Sequence, residues 1–148
     1  MIWKPHLTVA AVIERNDQFL MVEEQADNQI VYNQPAGHVE NNESIYDAII
    51  REVNEETAWD FTPEYIVGLY KWRKADIDRT FIRVCFAGSV NNHQASQKLD
   101  DDILNASWVS LTDLSSMDAE KMRSPMVKQC IDDYRLNKRY PLDFITEW

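Results

Sequence analysis

The feature that most constrains this chain is a helical pattern over residues 44–59 whose apolar stripe turns acidic. Three apolar side chains of its first half fall on one helix face: Ile45, Ala48 and Ile49. The next positions on that face carry three carboxylates, those of Glu52, Glu55 and Glu56. The spacing therefore predicts a helix from about Ser44 that directs an acidic cluster where an apolar contact is expected.

Such a cluster is unfavourable by itself. Like charges three and four residues apart destabilise a helix by roughly 0.2–0.5 kcal/mol per pair, and negative charge near a helix C-terminus opposes the helix dipole. Two interpretations stay open: an exposed acidic face, or an inward cluster that shares its space with a cation. Clustered carboxylate oxygens suit a hard divalent ion, Mg²⁺ or Mn²⁺ as its substitute.

Composition limits the class of protein. With 148 residues, of which 45% are hydrophobic and 27% charged, the chain is expected to form one soluble domain over residues 1–148. No apolar run of about 18 residues exists, so no membrane span is predicted. The polar start at Lys4–His6 does not resemble a signal peptide.

Charge and cysteine content add to these limits. The formal net charge of −10 argues against nucleic acid as a partner, since that requires Lys and Arg against phosphates. It leaves a small phosphorylated substrate open, provided that a metal supplies local positive charge. Cys85 and Cys130 make no disulfide framework, and we expect a reducing cytoplasm, with Cys85 in the core. A monomer is expected, and a dimer stays open.

The remaining apolar runs predict strands around this helix. His6–Ile13 and Phe19–Val22, joined by a turn at Asn16–Asp17, predict a β-hairpin. Further strands are predicted at Ile30–Tyr32, Tyr65–Trp72, Thr80–Ala87 and Trp108–Val109, and further helices at Leu111–Leu114 and after Ser124–Pro125. This order of elements predicts a mixed β-sheet with helices on both faces.

Several residues outside the helix are candidates for ligand contacts. Gln34 and Gly37 lie in a loop whose backbone can approach a ligand closely at the glycine. Arg83 interrupts an alternating apolar strand, so its side chain either extends to solvent or reaches into a cleft to contact a phosphate. Trp72 either stacks on a planar ring of the substrate or packs at the rim of the core.

Residues 37–59 resemble the Nudix box. The positions that carry the resemblance are Gly37, Glu43, Arg51, Glu52, Glu55 and Glu56, with Val53 and Trp59 in its two bulky apolar positions. Ala58 departs from the pattern, because the family usually has glycine there. Glycine adopts a left-handed helix cap freely, whereas alanine does so at a cost on the order of 1 kcal/mol. The departure concerns the end of the helix rather than its carboxylates.

The resemblance implies a Nudix-type α/β/α sandwich with a mixed sheet and a divalent metal site. It implies that Glu52, Glu55, Glu56 and the Gly37 carbonyl hold the metal. A pair between Glu43 and Arg51 would hold the helix against the loop, and Arg51 would orient the glutamates. An acidic residue of the loop before the last strand joins the site in many family members. Asp102 is our candidate, with Asp101 second, against a simple solvated acidic run.

The implied activity is Mg²⁺-dependent hydrolysis of a phosphoanhydride, with Glu55 or Asp102 as the base that takes a proton from water. Three flanking segments resemble one bacterial phosphatase branch of the family: Asn33–His38, Arg123–Val127 and Arg139–Leu142. That branch releases orthophosphate from nucleoside tri- and diphosphates and from thiamine-related pyrophosphates such as hydroxymethylpyrimidine pyrophosphate and thiamine pyrophosphate. The alternatives are a pyrophosphohydrolase of another nucleoside diphosphate derivative, a non-catalytic binding module with this fold, and a structural Ca²⁺ site.

Overall fold

Two four-stranded β-sheets form the centre of the molecule in the computed structural model, which describes residues 1–148. The strands are β1 His6–Val12, β2 Glu14–Arg15, β3 Gln18–Ala26, β4 Gln29–Asn33, β5 Ala36–His38, β6 Asp60–Lys74, β7 Arg79–Asn91 and β8 Ile103–Ser110. The first sheet has the order β5-β1-β7-β6, and in the second β3 pairs with β2, β4 and β8. The first sheet is mixed, because β1 is parallel to β7 and the other pairs are antiparallel.

Three α-helices accompany the sheets: α1 Ile45–Thr57, α2 Leu111–Ser116 and α3 Met126–Arg135. The core divides into two clusters, as β1 illustrates: Val9 and Ala11 belong to one, Ala10 and Val12 to the other. Helix α1 adds Ala48, Ile49 and Val53 to the first cluster, and α3 adds Val127, Cys130 and Ile131 to the second. The predicted α/β/α sandwich with a mixed sheet is confirmed.

The predicted N-terminal hairpin is wrong in its first strand. β1 pairs with β5 and β7, and only the short β2 returns against β3. Asn16 and Asp17 form the turn with φ of 52° and 62°, as a tight hairpin requires. Residues Val9–Val12 are at most 2% exposed. A strand that is apolar on both faces belongs in the middle of a covered sheet rather than in a hairpin with one open face.

Helix α1 begins and ends through specific caps. The Ser44 Oγ accepts a hydrogen bond from the Asp47 backbone N–H at 2.9 Å, a cap that is typically worth about 1 kcal/mol. At the other end Ala58 adopts the left-handed conformation, with φ 62° and ψ 20°, and its N–H donates to the Asn54 carbonyl. Alanine therefore makes the turn that the family usually assigns to glycine, and the helix exit is preserved.

The long β6–β7 hairpin differs from its prediction at one end. Strand β6 begins at Asp60, before Pro63, and not after it. Pro63 lies at a shift of the β6–β7 register and on an edge strand, where a missing N–H is tolerated. The C-terminal segment returns to this edge, since Tyr140 and Ile66 exchange two backbone hydrogen bonds of 2.8 Å.

Both cysteines are buried and unpaired in the core, as expected for Cys85. No helix of the molecule is both long enough and apolar enough to cross a membrane.

Candidate active site

A cleft of about 370 Å³ gathers side chains from most parts of the chain. Its carboxylates come from β3, from the segment before α1, from α1 and from the loop before β8: Glu24, Glu40, Glu52, Glu56, Asp100 and Asp102. Its two guanidinium groups belong to Arg83 and Arg123. With six carboxylates and two arginines, the cleft repels phosphate unless cations bind in it.

Helix α1 directs two of the three predicted glutamates into the cleft. Glu52 and Glu56 are 8% and 6% exposed and line its wall. Glu55 is more open, with 39% of its side chain exposed. Carboxylate oxygens of Glu52, Glu55 and Asp100 lie within 4.8 Å of one another. The exposed-face interpretation of the acidic stripe therefore fails for Glu52 and Glu56.

Gly37 is in contact with the Glu52 carboxylate. A Cβ atom at this position would lie 2.1 Å from the Glu52 Cδ, far inside van der Waals contact. The neighbouring Ala36 N–H donates to Glu56 Oε1 at 2.8 Å. The β5 backbone thus touches both buried glutamates, and any side chain at position 37 would displace the Glu52 carboxylate from its present place.

Arg51 holds the acidic cluster together, in agreement with its predicted pairing to Glu43. Its Nε and Nη2 donate to the two Glu43 oxygens at 2.6 and 2.9 Å. Its Nη1 donates to Glu52 at 2.7 Å and to Glu55 at 3.1 Å, and Nη2 also reaches the His38 carbonyl at 3.0 Å. Arg51 is not part of the cleft wall. It positions carboxylates instead of facing a ligand.

Burial raises the proton affinity of the two cleft glutamates. The pKa of Glu52 is raised to about 7 by burial, against the opposing hydrogen bond from Arg51 and with added repulsion from Glu55 and Asp100. Burial also raises the pKa of Glu56 well above its ordinary value of 4.5, although the Ala36 N–H opposes this shift. One arginine does not neutralise this cluster, so a further cation stabilises its ionised form.

The donor set fits a hard divalent cation. Three carboxylates converge within a few ångströms, and two buried glutamates lack full charge compensation. Oxygen ligands of this kind are those that Mg²⁺ and Mn²⁺ prefer. The residues that would hold the cation are Glu52, Glu55, Glu56 and Asp100, with the Gly37 carbonyl beside them.

The loop before β8 contributes two aspartates to the cleft. Asp102, our sequence candidate, lines the wall, whereas Asp101 does not and pairs with Lys98 at 3.3 Å. Asp100 was not a sequence candidate, yet its carboxylate lies with those of Glu52 and Glu55. Three consecutive aspartates in a loop carry no periodicity, so their order alone does not indicate which side chains point inward.

Arg83 reaches the cleft from β7. It is 4% exposed. Its Nη1 donates to Gln34 Oε1 at 2.9 Å and its Nη2 to Asn33 Oδ1 at 3.2 Å. The alternative that Arg83 extends to solvent is therefore wrong, and its role toward a phosphate stays a prediction.

Gln34 does not line the cleft. It is 1% exposed and lies behind Arg83, with its Nε2 donating to the Val127 carbonyl at 2.7 Å. This position corrects the expectation of a direct substrate contact, because the side chain is fully occupied by Arg83 and α3. Asn33, which the sequence did not single out, does line the cleft.

Aromatic side chains line another part of the cleft. Trp72 stacks on Phe81, with ring centroids 5.7 Å apart and planes at 21°. Phe81 contacts His6, whose Nδ1 lies 2.9 Å from His38 Nε2. Trp72 is a half-buried residue of the cleft wall, and its stacking on a substrate ring stays a prediction. The sequence pattern did not point to Phe81, although it shares the cleft face of β7 with Arg83.

A final group of cleft residues comes from the segment before and at the start of α3: Arg123, Ser124 and Met126. Arg123 approaches Glu24 at 3.7 Å, and its backbone N–H donates to the Tyr32 carbonyl at 2.8 Å. In the sequence this segment marked the start of a helix and carried part of the family resemblance, but none of its residues was a site candidate. Its place in the cleft depends on long-range pairing with β4, which no local pattern reveals.

Fold and site together give a sheet-and-helix frame in which one helix presents clustered glutamates to a cleft of about 370 Å³. The model of the NUDIX domain matches residues 4–130, and the chain therefore belongs to the Nudix hydrolase family. Over 147 residues it is 35% identical to Phosphatase NudJ of Escherichia coli K12, covering 99% of this chain and 94% of that protein.

Solved structures agree with this assignment. A Nudix hydrolase from Nitrosomonas europaea has a TM-score of 0.94 and 44% identity, covering 98% of both chains. The Nudix domain of Shewanella oneidensis NrtR, solved with ADP ribose, has a TM-score of 0.75 and 20% identity, covering 92% of this chain and 90% of that one. The second likeness concerns the fold alone. The expected enzyme class is confirmed, and the binding-module alternative is set aside.

Proposed function

We propose that this Nudix hydrolase is a Mg²⁺-dependent phosphatase of nucleoside tri- and diphosphates and of thiamine-related pyrophosphates, and that it releases orthophosphate. The observation that carries the proposal is one cleft with clustered carboxylates, a buried arginine and a stacked aromatic pair. These features match, in turn, a divalent cation, a phosphate and a planar ring. The similarity to NudJ over nearly the whole chain supports the phosphatase class.

The chain's own residues divide the work of hydrolysis. Glu52, Glu55, Glu56 and Asp100 would hold the divalent cation, which would supply charge neutralisation for phosphate oxygens and a more acidic water. Arg51 keeps Glu52 and Glu55 in one orientation. Asp102 or Glu55 takes a proton from the attacking water. The water oxygen bonds to phosphorus while the P–O bond to the bridging oxygen breaks. The bridging oxygen leaves with the rest of the substrate.

Arg83 and the aromatic pair bind the rest of the substrate in this proposal. The guanidinium of Arg83 donates to a phosphate oxygen. A planar guanidinium matches the geometry of phosphate oxygens better than the ammonium group of a lysine does. Trp72 and Phe81 offer a ring face for a base, a pyrimidine or a thiazole. Stacking tolerates different rings, which supports the proposed substrate range of nucleotides and thiamine-related pyrophosphates.

The experiment is a panel of nucleoside tri- and diphosphates, hydroxymethylpyrimidine pyrophosphate, thiamine pyrophosphate and ADP ribose, assayed with Mg²⁺, Mn²⁺ or Ca²⁺. We expect orthophosphate from the tri- and diphosphates in Mg²⁺ and Mn²⁺, and little turnover in Ca²⁺. Pyrophosphate plus a nucleoside monophosphate, or cleavage of ADP ribose alone, would contradict the phosphatase assignment and leave the Nudix chemistry intact.

A further inference from the structure

Arg83 is a buried cation without a carboxylate partner. The ion pairs of the molecule involve other residues, and the Nε of Arg83 is buried with no hydrogen-bond partner. The other guanidiniums near the site differ, because Arg51 contacts several carboxylates and Arg123 approaches Glu24. A buried arginine normally lies against a carboxylate, since an unpaired buried charge costs several kcal/mol.

Two amide side chains occupy the place of that carboxylate. Asn33 and Gln34 accept from the two terminal nitrogens of Arg83 through their neutral oxygens. An amide oxygen fixes the direction of a guanidinium, but it carries no full charge and does not neutralise it. The positive charge of Arg83 therefore remains available at the cleft wall, in surroundings of low dielectric constant where it attracts an anion strongly.

The orientation of both amides is fixed by their own donors. The Nε2 of Gln34 donates to the Val127 carbonyl at 2.7 Å, and the Nδ2 of Asn33 donates to Glu24 at 2.8 Å. Since each nitrogen has its acceptor, each oxygen is turned toward Arg83. Asn33 and Gln34 are 5% and 1% exposed, so water does not replace them.

We propose that Asn33 and Gln34, here called the amide clamp, are positioning residues that aim Arg83 and keep its charge free for a phosphate group of the substrate. The proposal rests on the proposed function, which supplies the phosphate. The clamp sets affinity for the anion, so its loss acts on KM more than on kcat. A carboxylate at either position would satisfy Arg83 internally and remove its attraction for substrate.

The test compares two replacements of similar size at one position. Gln34→Glu and Gln34→Met both lose the hydrogen bond to the Val127 carbonyl, but only the first adds a negative charge against Arg83. Gln18→Glu, on the exposed start of β3, makes the same charge change away from the cleft. The readouts are kcat and KM for a nucleoside diphosphate with Mg²⁺, and the calorimetric Kd of methylenediphosphonate, which resists hydrolysis.

We expect Gln34→Glu to raise KM and Kd by roughly tenfold or more, in keeping with loss of a charged hydrogen bond. Gln34→Met should change them several times less, and Gln18→Glu should match the unmodified protein. Equal effects of the two Gln34 variants would overturn the clamp, because a merely structural role does not depend on charge. If Gln34→Glu fails to fold, Asn33→Asp makes the same test from the other terminal nitrogen of Arg83, and an unchanged KM and Kd there would also overturn it.

The two readouts separate this inference from the proposed function. Turnover by the unmodified enzyme together with an unchanged Kd in Gln34→Glu would refute the clamp alone. Absence of orthophosphate release from every substrate, together with diphosphonate binding that weakens in Gln34→Glu, would refute the proposed function and support the clamp.

Discussion

Gly37 is the residue at which a single atom decides the geometry of the carboxylates. In Gly37→Ala the new Cβ would overlap the Glu52 carboxyl group. The flexible end of Glu52 can move away, so we expect a small change in stability and a displaced carboxylate. Because a misplacement of about 1 Å can cost on the order of 100-fold in rate, we expect a loss of that order in kcat/KM.

The matched control for this prediction is Gly68→Ala. Its new Cβ would lie 2.7 Å from the Tyr70 hydroxyl, which donates to Asp133 outside the cleft, so we expect a loss of stability without a loss of kcat/KM. Steady-state kinetics and thermal melting of both variants make the measurement. Equal activity of the two variants would remove Gly37 from the account of the site.

Residue identities were predictable where a spacing fixed them. The positions of Glu52, Glu56 and Gly37 follow from a helical repeat joined to a family pattern. Asp100 and Arg123 were not predictable, because their loops are held by hydrogen bonds to distant elements. The Asp100 N–H donates to the Glu55 carbonyl of α1, and the Arg123 N–H donates to the Tyr32 carbonyl of β4. Gln34 was predicted to contact substrate, and it lies near the cleft but contacts Arg83 instead. The sequence does not indicate whether a loop side chain faces a ligand or supports a neighbouring side chain.

At the scale of elements, the end of helix α1 contains a strain that can be relieved. Ala58 holds a left-handed φ of 62°, which costs a residue with a Cβ on the order of 1 kcal/mol relative to glycine. We expect Ala58→Gly to stabilise the protein by up to about 1 kcal/mol, which raises Tm by about 2–4 °C at this chain length. Thermal melting measures the change.

Ala48→Gly is the control, because it makes the same substitution in the interior of the same helix. There glycine destabilises by roughly 0.5–1 kcal/mol through backbone entropy, before any loss of packing. We therefore expect opposite signs for the two variants. A lower Tm for Ala58→Gly would mean that the contacts of its buried methyl group outweigh the backbone strain.

The elements themselves were largely predictable, and their pairing was less so. Helix α1 had a periodic face and a family pattern that agreed with each other, and it appears as predicted. The hairpin prediction for the first strand used only local turn signals. It failed because β1 finds its partners at β5 and β7, far along the chain in the case of β7.

For the whole molecule, the buried glutamates make stability depend on pH and on metal. The pKa of Glu52 is raised from 4.5 to about 7, so the folded protein binds its proton more tightly than the unfolded chain does. The stability that this proton contributes is fully present below the ordinary pKa of 4.5 and is lost as pH rises through about 7. Without metal, we expect Tm to fall between about pH 5 and about pH 8.

Divalent metal should reverse this trend, because it binds the ionised carboxylates of the folded protein only. Thermal melting with a chelator or with Mg²⁺ at both pH values tests this, and Mg²⁺ should raise Tm more at the higher pH. In Glu52→Gln the pH dependence without metal should be weaker. If the Tm of the metal-free protein rises from about pH 5 to about pH 8, burial of the glutamates is not what sets the pH dependence of its stability.

The most direct test of the whole account is the turnover of Glu56→Gln with Mg²⁺, measured by orthophosphate release. The amide oxygen can still accept from the Ala36 N–H, so we expect the fold to survive. Removing the charge should lower kcat by roughly 1,000-fold, since metal-based charge stabilisation is worth several kcal/mol at about 1.4 kcal/mol per factor of ten. The exposed Glu64→Gln should keep full activity. If Glu56→Gln folds and retains the rate of the unmodified enzyme, the buried carboxylates are not the seat of the chemistry.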